Sequence, residues 1–161
     1  MIKAYYQSPF GCFEIKGTST GVCSVRLQQG KDCYGAEVPD ELAEAVIQLD
    51  EYFRKKRTTF DLPLDLSSGT AFNQAVWREL LKIPYGRTTS YSAIAHQLDN
   101  PDAVRAVGMA NRNNPIAIMI PCHRCLAKSG ELHGYFYGLD MKRKLLELEN
   151  PMAYGEQGSL F

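Results

Sequence analysis

The sequence changes character between residues 58 and 69, and this change constrains the fold more than any other feature. Before it, short alternating segments are separated by clusters of turn residues. After it, apolar residues recur every three or four positions, as on the buried face of a helix. The stretch itself ends in Ser-Ser-Gly, which is typical of an extended linker. The pattern predicts a strand-rich domain at 1–68, a helical domain at 69–150 and a tail at 151–161.

The first domain is predicted to hold a small antiparallel sheet and one helix. Its strand segments are 2–7, 11–16 and 22–27. A helix follows with Asp40 as its N-cap and ends in the basic cluster 54–57. We interpret these cations as complementing the negative end of the helix dipole rather than as a nucleic-acid patch.

Composition indicates a globular protein with no membrane association, and we expect it in the cytoplasm. The 161 residues are 45% hydrophobic, enough for a core, and 18 basic side chains balance 18 acidic ones. Any affinity for a polyanion must therefore be local. No apolar stretch reaches the roughly 18 residues of a membrane span. Five cysteines at irregular spacing indicate reduced thiols rather than a disulfide framework.

The second domain is predicted to be helical. One helix carries an apolar stripe of Phe72, Val76, Trp77, Leu80 and Leu81. Two short helices follow at 90–98 and 100–112, the second with Asn100 as its N-cap and Pro101 at its first position. Two short helices joined by a tight turn are typical of a helix-turn-helix. A last helix at 139–149 carries the basic run 142–144 between its apolar residues.

The tetrapeptide Pro121-Cys122-His123-Arg124 directly follows the apolar run 116–120. A run this short predicts a buried strand or an entry into the core, so it brings a thiol, an imidazole and a guanidinium to one point inside the fold. Free cysteine is often only a small buried hydrophobe, but its thiolate is a nucleophile when neighbours stabilise it. Taken alone, the tetrapeptide leaves packing, redox, metal binding and catalysis open.

Seven blocks of the second domain occur in an order and spacing similar to those of the methylated-DNA-protein-cysteine methyltransferases, the alkylguanine-DNA alkyltransferases. The blocks are 69–77, 84–86, 90–91, 105–108, 114–115, 120–124 and 138–149. The first domain resembles the family's amino-terminal domain more loosely. The resemblance implies an α+β fold, with a small ribonuclease-H-like antiparallel-sheet domain and a helical catalytic domain of the winged-helix or helix-turn-helix type.

The resemblance implies direct reversal of DNA damage. The alkyl group, typically methyl, passes irreversibly from 6-O-alkylguanine to Cys122, and each molecule reacts once because a thioether has no leaving path. By resemblance a water relays the thiol proton to His123, Glu149 orients that histidine, and Asn114 holds the nucleophile segment against the recognition helix. Arg124 is given a positioning role in an ion pair. No cofactor is implied.

The implied partner is double-stranded DNA containing an alkylated guanine that is flipped out of the stack. Arg105 would fill the vacancy, and Tyr91 would press on the neighbouring phosphate and donate a hydrogen bond to the base. The small residues Ala106 and Gly108 would let the recognition helix approach the minor groove. One-to-one chemistry needs no dimer, so we expect a monomer.

The chain departs from the family pattern around the guanine pocket. Tyr135 is retained as a pocket wall, but Phe136 and Tyr137 stand where members commonly have small residues, and Cys125 stands where valine is common. We hypothesise that bulky adducts such as benzyl react poorly relative to methyl. Cys122 and Cys125 also form a CxxC spacing, which we interpret as a small apolar substitution at Cys125.

No metal site is predicted. Cys12, Cys23 and Cys33 could supply thiolates, but residues 1–70 contain no histidine, so a site that includes histidine would need His96 from the other domain.

Three other functions compete with alkyl transfer. A non-catalytic lesion-binding alkyltransferase-like protein would lack the acceptor cysteine, and Cys122 is present. A cysteine hydrolase needs direct contact between thiol and imidazole, which is awkward if Cys122 and His123 are neighbours in an extended segment. A winged-helix regulator would not need a buried Pro-Cys-His-Arg.

Overall fold

The computed structural model describes residues 1–28, 30, 33, 37–127 and 135–155. Its contacts divide the chain into two units. Unit 1 comprises Met1–Ser68 and Pro115–Met119, and unit 2 comprises Gly69–Asn114 and Ile120–Phe161. The short segment Pro115–Met119 thus belongs to unit 1 although unit 2 precedes and follows it in the chain. The domain limits read from the sequence stay a prediction.

The sheet of unit 1 is the antiparallel meander that the sequence predicts. Its strands are β1 (Ile2–Ser8), β2 (Gly11–Thr18) and β3 (Gly21–Gln28), in that order. The register pairs Ala4 with Ile15 and Ile15 with Val25, so that these three buried side chains share one face. The linker extends the sheet, because Val22 donates a backbone hydrogen bond to Pro63 and accepts one from Asp65.

Helix α1 (Asp40–Phe53) packs against β1 and β2. Asp40 is its first residue rather than its N-cap, because the extended Pro39 holds the cap position and its carbonyl accepts from the amide of Leu42. The helix ends before the basic cluster, where Lys55 adopts a left-handed φ of 60°. Within that cluster Arg54 pairs with Asp50, four residues earlier.

Cys12 and Cys33 form a disulfide. The prediction that all five thiols are reduced is therefore wrong for this pair. The pairing depends on tertiary structure, which brings the middle strand next to a residue beyond β3, and local spacing does not encode it. The free cysteines are Cys23, Cys122 and Cys125. Among the described residues, no group of histidine, cysteine and acidic side chains could hold a metal ion.

Unit 2 is helical, with one short parallel strand pair. Its elements are α2 (Ala71–Leu80), β4 (Thr89–Ser90), α3 (Tyr91–Gln97), α4 (Val104–Arg112), a 3-10 helix (Cys122–Arg124), β5 (Cys125–Leu126), α5 (Leu139–Glu149) and α6 (Pro151–Tyr154). In the described part of the chain no helix is long and apolar enough to cross a bilayer. The α+β class predicted from the sequence is confirmed by this combination of a sheet and helices.

Helix α2 follows the sequence prediction except at its end. The Thr70 side chain accepts from the amide of Asn73 and caps the helix. The apolar stripe buries Val76 and Trp77, but Leu81 follows the last helical residue and is 42% exposed. The predicted stripe is thus one residue too long.

Helix α4 begins later than predicted. Asn100 and Pro101 do not start it, because the amide of Ala103 donates to the carbonyl of Asn100 and closes a turn, and the first helical residue is Val104. The preceding helix α3 is capped by Ser90, whose hydroxyl accepts from the amide of Ala93. The two helices pack against each other.

Candidate active site

The apolar run before Cys122 is buried but is not a strand. All five residues from 116 to 120 are buried. Ile116 makes a single parallel bridge with Val25, and the amide of Met119 then donates to the carbonyl of Ala117. Ile118 adopts a φ of 72°, a strained conformation for a β-branched residue. The run therefore turns sharply before it reaches the tetrapeptide.

Cys122 opens the 3-10 helix and is only 5% exposed. The expectation of an extended segment is wrong, because the amide of Arg124 donates to the carbonyl of Pro121 and bends the tetrapeptide into a helical turn. The side-chain amide of Asn114 donates from Nδ2 to the carbonyl of Ile120 at 2.9 Å and to Sγ of Cys122 at 3.2 Å. One side chain thus fixes both the backbone and the thiol.

The last turn of α4 also holds this segment. Asn111 is buried, and its Nδ2 donates to the carbonyl of Cys122 at 3.4 Å. Trp77 of α2 donates from Nε1 to the carbonyl of Ala110 at 2.8 Å, which ties α4 to the core of unit 2. Sequence reasoning missed Asn111, although its position three residues before Asn114 was a signal.

Opposing effects act on the thiol of Cys122. Burial raises its pKa, whereas the hydrogen bond from Asn114, the positive charge of Lys142 and the hydroxyl of Tyr135 lower it. Burial is the stronger effect, so the thiol is protonated in the resting protein. A base must therefore remove the proton, and these three groups then stabilise the thiolate.

His123 is fully buried and contacts Glu149, with 2.7 Å between Nε2 and Oε2. Burial lowers the pKa of His123 more than the carboxylate raises it, so the ring is neutral at pH 7. Because a carboxylate only accepts, the proton of the neutral ring is assigned to Nε2. Nδ1 is buried and has no hydrogen-bond partner among the described residues. It is therefore available as a base.

Glu149 joins His123 to Arg124. Arg124 donates to it twice, from Nε at 2.8 Å and from Nη2 at 3.0 Å, and donates from Nη1 to the carbonyl of Ile83. Burial alone would raise the pKa of Glu149, but His123 and Arg124 outweigh it and hold the pKa well below its usual range. Arg124 thus lies in an ion pair that orients the carboxylate.

Lys142 is a second buried residue that the sequence interpretation did not find. It is 0% exposed, and its Nζ donates to the carbonyl of Cys125 at 2.6 Å. Lys142 begins a run of three cations, but helical spacing places it on the same face as Leu145, Leu146 and Glu149. That spacing was the available signal.

The predicted pocket residues divide into buried and exposed groups. Tyr135 is buried, and its hydroxyl is one of the groups that lower the pKa of Cys122. Cys125 is buried in β5, and burial raises its pKa to about 12. The ring of Tyr137 contacts that of Tyr135 edge-on, with centroids 5.8 Å apart, whereas Phe136 is 50% exposed. The sequence also predicts a turn at Lys128-Ser129-Gly130-Glu131, and this turn and the nearby His133 lie outside the described residues.

The residues predicted to bind DNA lie on helices α3 and α4. Arg105 and Ala106 are exposed on α4, and a Cβ added at Gly108 would meet nothing within 4 Å. The structure does not place these three among the buried side chains around the thiol. Tyr91 begins α3 and is partly buried, and burial raises its pKa.

Comparison with known proteins gives consistent results over both units. The family model described as 6-O-methylguanine DNA methyltransferase, DNA binding domain, matches residues 71–151. The model described as 6-O-methylguanine DNA methyltransferase, ribonuclease-like domain, matches residues 1–66.

Individual relatives match most of the chain. The methylated-DNA-protein-cysteine methyltransferase of Mycobacterium tuberculosis is 45% identical over 150 residues, covering 91% of this chain and 90% of the relative. The protein of that name from Methanosarcina acetivorans is 43% identical over 156 residues, covering 92% and 98%. The crystal structure of Mycobacterium tuberculosis O6-methylguanine methyltransferase superposes with a TM-score of 0.81 at 43% identity, covering 93% and 94%. A structure of Mycobacterium tuberculosis OGT in complex with DNA also gives a TM-score of 0.81, at 45% identity, and covers 91% and 92%.

Proposed function

The chain belongs to the 6-O-methylguanine DNA methyltransferase family, and from that premise we propose that Cys122 is the residue that accepts the alkyl group. The function is DNA repair by alkyl transfer, and the activity is that of a methylated-DNA-protein-cysteine methyltransferase. The observation that carries the choice of Cys122 is its hydrogen bond from Asn114 beside a neutral His123 that is held by Glu149.

The reaction begins with removal of the thiol proton. A water molecule relays this proton from Cys122 to Nδ1 of His123, and the imidazolium that forms is stabilised by Glu149. Asn114 already donates to the sulfur, so it stabilises the thiolate without rearrangement, and the hydroxyl of Tyr135 also lowers the pKa of Cys122.

The thiolate then attacks the alkyl carbon in line with the bond to the guanine oxygen. A sulfur-carbon bond forms, the carbon-oxygen bond breaks, and its electron pair stays with guanine. The phenol of Tyr91 donates a hydrogen bond to this guanine anion, which then takes up a proton from water. The thioether has no leaving path, so each molecule reacts once. A non-catalytic lesion-binding protein would have no use for a thiol with three supporting groups.

The partner is double-stranded DNA containing an alkylated guanine. The flipped base reaches the buried thiol, while the exposed face of α4 docks in the minor groove. Ala106 and the open side of Gly108 permit close approach, and Arg105 fills the vacancy in the stack. The protein acts as a monomer inside the cell, in the cytoplasm, without membrane association. The catalytic domain spans 69–150, between the N-terminal domain at 1–68 and the tail.

The pocket is shaped by Tyr135, Cys125, Phe136 and Tyr137. The edge-on contact of Tyr137 puts a second aromatic ring against Tyr135, the buried tyrosine whose hydroxyl lowers the pKa of Cys122. This contact supports the hypothesis that benzyl adducts react poorly relative to methyl.

Intact-mass spectrometry tests the proposal directly. The protein is incubated with an excess of duplex containing methylguanine, and we expect one added methyl group, mapped to Cys122 by peptide analysis. Cys122→Ala should gain none, whereas the matched variants Cys125→Ala and Cys23→Ala should gain one. Methylation at another cysteine, or more than one repaired base per protein, would overturn the assignment. Lesion binding without any methyl gain would instead support the non-catalytic alternative.

A further inference from the structure

One buried oxygen beside the acceptor residue has no part in the reaction described above. In the described part of the chain, three buried side-chain polar atoms make no hydrogen bond. Oε2 of Glu79 lies 2.7 Å from the ammonium group of Lys82, and Nδ1 of His123 takes the thiol proton. The third atom is Oδ1 of Asn111, a residue that is 3% exposed. Buried acceptors are nearly always paired, so this oxygen calls for a donor from a ligand.

The orientation of the Asn111 amide is set by the carbonyl of Cys122. That carbonyl can only accept a hydrogen bond, so the amide turns Nδ2 toward it, at 3.4 Å. The reverse orientation would place two oxygens against each other. Within an amide the oxygen and nitrogen are about 2.2 Å apart, so Oδ1 lies within about 6 Å of the carbonyl oxygen of the residue that carries the thiol.

The backbone around Asn111 is held on both sides. Trp77 donates from Nε1 to the carbonyl of Ala110 at 2.8 Å, and the backbone amide of Asn114 donates to the carbonyl of Asn111 at 3.4 Å. The buried oxygen is therefore fixed in place before any ligand arrives, which is the property of a residue that recognises a substrate group.

The substrate offers one donor that matches this acceptor. Proteins that flip a base read it by hydrogen bonds to its Watson-Crick edge. In 6-O-methylguanine the methylated oxygen and the ring nitrogen beside it carry no hydrogen, so the 2-amino group is the only donor on that edge. Oδ1 of Asn111 can only accept, and it therefore fits the amino group and neither of the other two atoms.

We propose that Asn111 is a specificity-determining residue, whose Oδ1 accepts a hydrogen bond from the 2-amino group of the flipped base. The proposal rests on Cys122 being the methyl acceptor, because the base must then enter beside that residue. A lesion without the amino group, such as 6-O-methylhypoxanthine, would leave Oδ1 buried and unpaired. The site would select against it for that reason.

The test uses two duplexes that differ only in the 2-amino group, one with 6-O-methylguanine and one with 6-O-methylhypoxanthine. The second-order rate of methyl transfer is measured for each, and their ratio is the preference for the amino group. Asn111→Leu removes the acceptor and keeps the branched shape of the side chain, whereas Asn111→Asp keeps an oxygen acceptor. Asn113→Leu is the matched control, because Asn113 is exposed at the end of α4.

The parent protein should prefer methylguanine by about ten- to hundredfold, since the analogue leaves a buried acceptor unpaired. In Asn111→Leu this preference should fall about tenfold, mainly because methylguanine reacts more slowly. Asn111→Asp and Asn113→Leu should keep the parent preference within about threefold.

Two outcomes with the variants would overturn the proposal. A folded Asn111→Leu protein with the parent preference would do so even if both rates fell together. Asn111 would then act only on the structure, or a water molecule would be the partner of Oδ1. Loss of the preference in Asn111→Asp would assign the effect to Nδ2 instead of Oδ1.

A second measurement covers the case in which Asn111→Leu does not fold. The parent protein is given both duplexes in competition, and equal methylation of Cys122 from the two would contradict the inference, because no buried acceptor would then respond to the amino group. Failure of the function assigned to Cys122 is distinguishable, since it would appear as a parent protein that gains no methyl group at Cys122 from either duplex.

Discussion

The two units bury their side chains for different purposes. In unit 1 the core is mainly apolar. The ring of Phe53, for example, contacts the rings of Phe10, Phe13 and Tyr52. In unit 2 a group of four ionisable side chains is equally buried. These are His123, Arg124, Lys142 and Glu149. Apolar burial stabilises a fold in proportion to area, whereas burying charge is unfavourable unless every group finds a partner. The second arrangement is therefore explained by chemistry rather than by stability.

The polar groups that unit 1 does bury make the contrast clearer. Gln48 exchanges two hydrogen bonds with the backbone of Asp61, and Thr18 donates to Asp65 at 2.6 Å. Both interactions fasten the linker to the sheet and α1. In the buried cluster of unit 2, His123 and Arg124 both bond to the side chain of Glu149, so the loss of one changes the charge state of the next.

The largest expected effect is that of Glu149→Gln. The substitution leaves Arg124 buried without its carboxylate and removes the group that stabilises a protonated His123. We expect a loss of about 4 kcal/mol in the free energy of unfolding and a fall of about 100-fold in the methyl-transfer rate. Urea denaturation measures the free energy of unfolding, and single-turnover kinetics measure the methyl-transfer rate.

The matched control for that change is Asp140→Asn, which removes an exposed ion pair with Lys144 on the same helix. It should alter stability by no more than about 0.5 kcal/mol and leave the rate unchanged. If Glu149→Gln changed the free energy of unfolding and the rate as little as Asp140→Asn, the buried cluster would be no different from a surface ion pair. The contrast between the cores of the two units would then be wrong.

A core substitution in unit 1 should separate stability from chemistry. Leu49 is fully buried on α1, and Leu49→Ala should destabilise the protein by about 3 kcal/mol through lost apolar contact and the cavity that remains. The methyl-transfer rate per folded molecule should equal that of the parent, measured with active protein counted by DNA titration. A rate loss beyond the fraction unfolded would contradict the functional separation of the two cores.

Acid should weaken the buried cluster before it affects the apolar core. Glu149 has a pKa below its usual 4.5, so its contribution to stability is complete above that pH and is lost as pH falls below it. His123 has a pKa below its usual 6.5, so stability already falls as pH drops below that value, because the unfolded chain binds the proton more readily. The two effects act in the same direction.

The measurement is the free energy of unfolding of the parent and of Glu149→Gln at a series of pH values. Below the usual pKa of Glu149 the parent curve should be steeper, by at most about 1.4 kcal/mol per pH unit for one proton. Parallel curves would mean that Glu149 is not held ionised in the folded protein.

The parts of the molecule that the sequence predicted are those set by local pattern. The helix Leu139–Glu149 was predicted with its observed limits, because its apolar spacing is regular. The start of α4 was misplaced by a local turn at Asn100, and the disulfide of Cys12 was missed because its partner is set by tertiary structure. The motif directed attention to Cys122, which the structure shows to be buried, but the burial of Lys142 was hidden by the two exposed cations that follow it.

The smallest expected effect concerns the size of the alkyl group that is transferred. Tyr137→Gly removes the ring that contacts Tyr135. It should raise the rate for benzyl relative to methyl by about fivefold, corresponding to about 1 kcal/mol of relieved crowding. Phe136→Ser is the control, because that side chain is half exposed and its loss should change the ratio less. Competition between benzylguanine and methylguanine duplexes gives the ratio directly. If the parent already transferred benzyl as fast as methyl, neither aromatic residue would restrict the pocket. Adduct range would then depend on the buried groups around Cys122 alone.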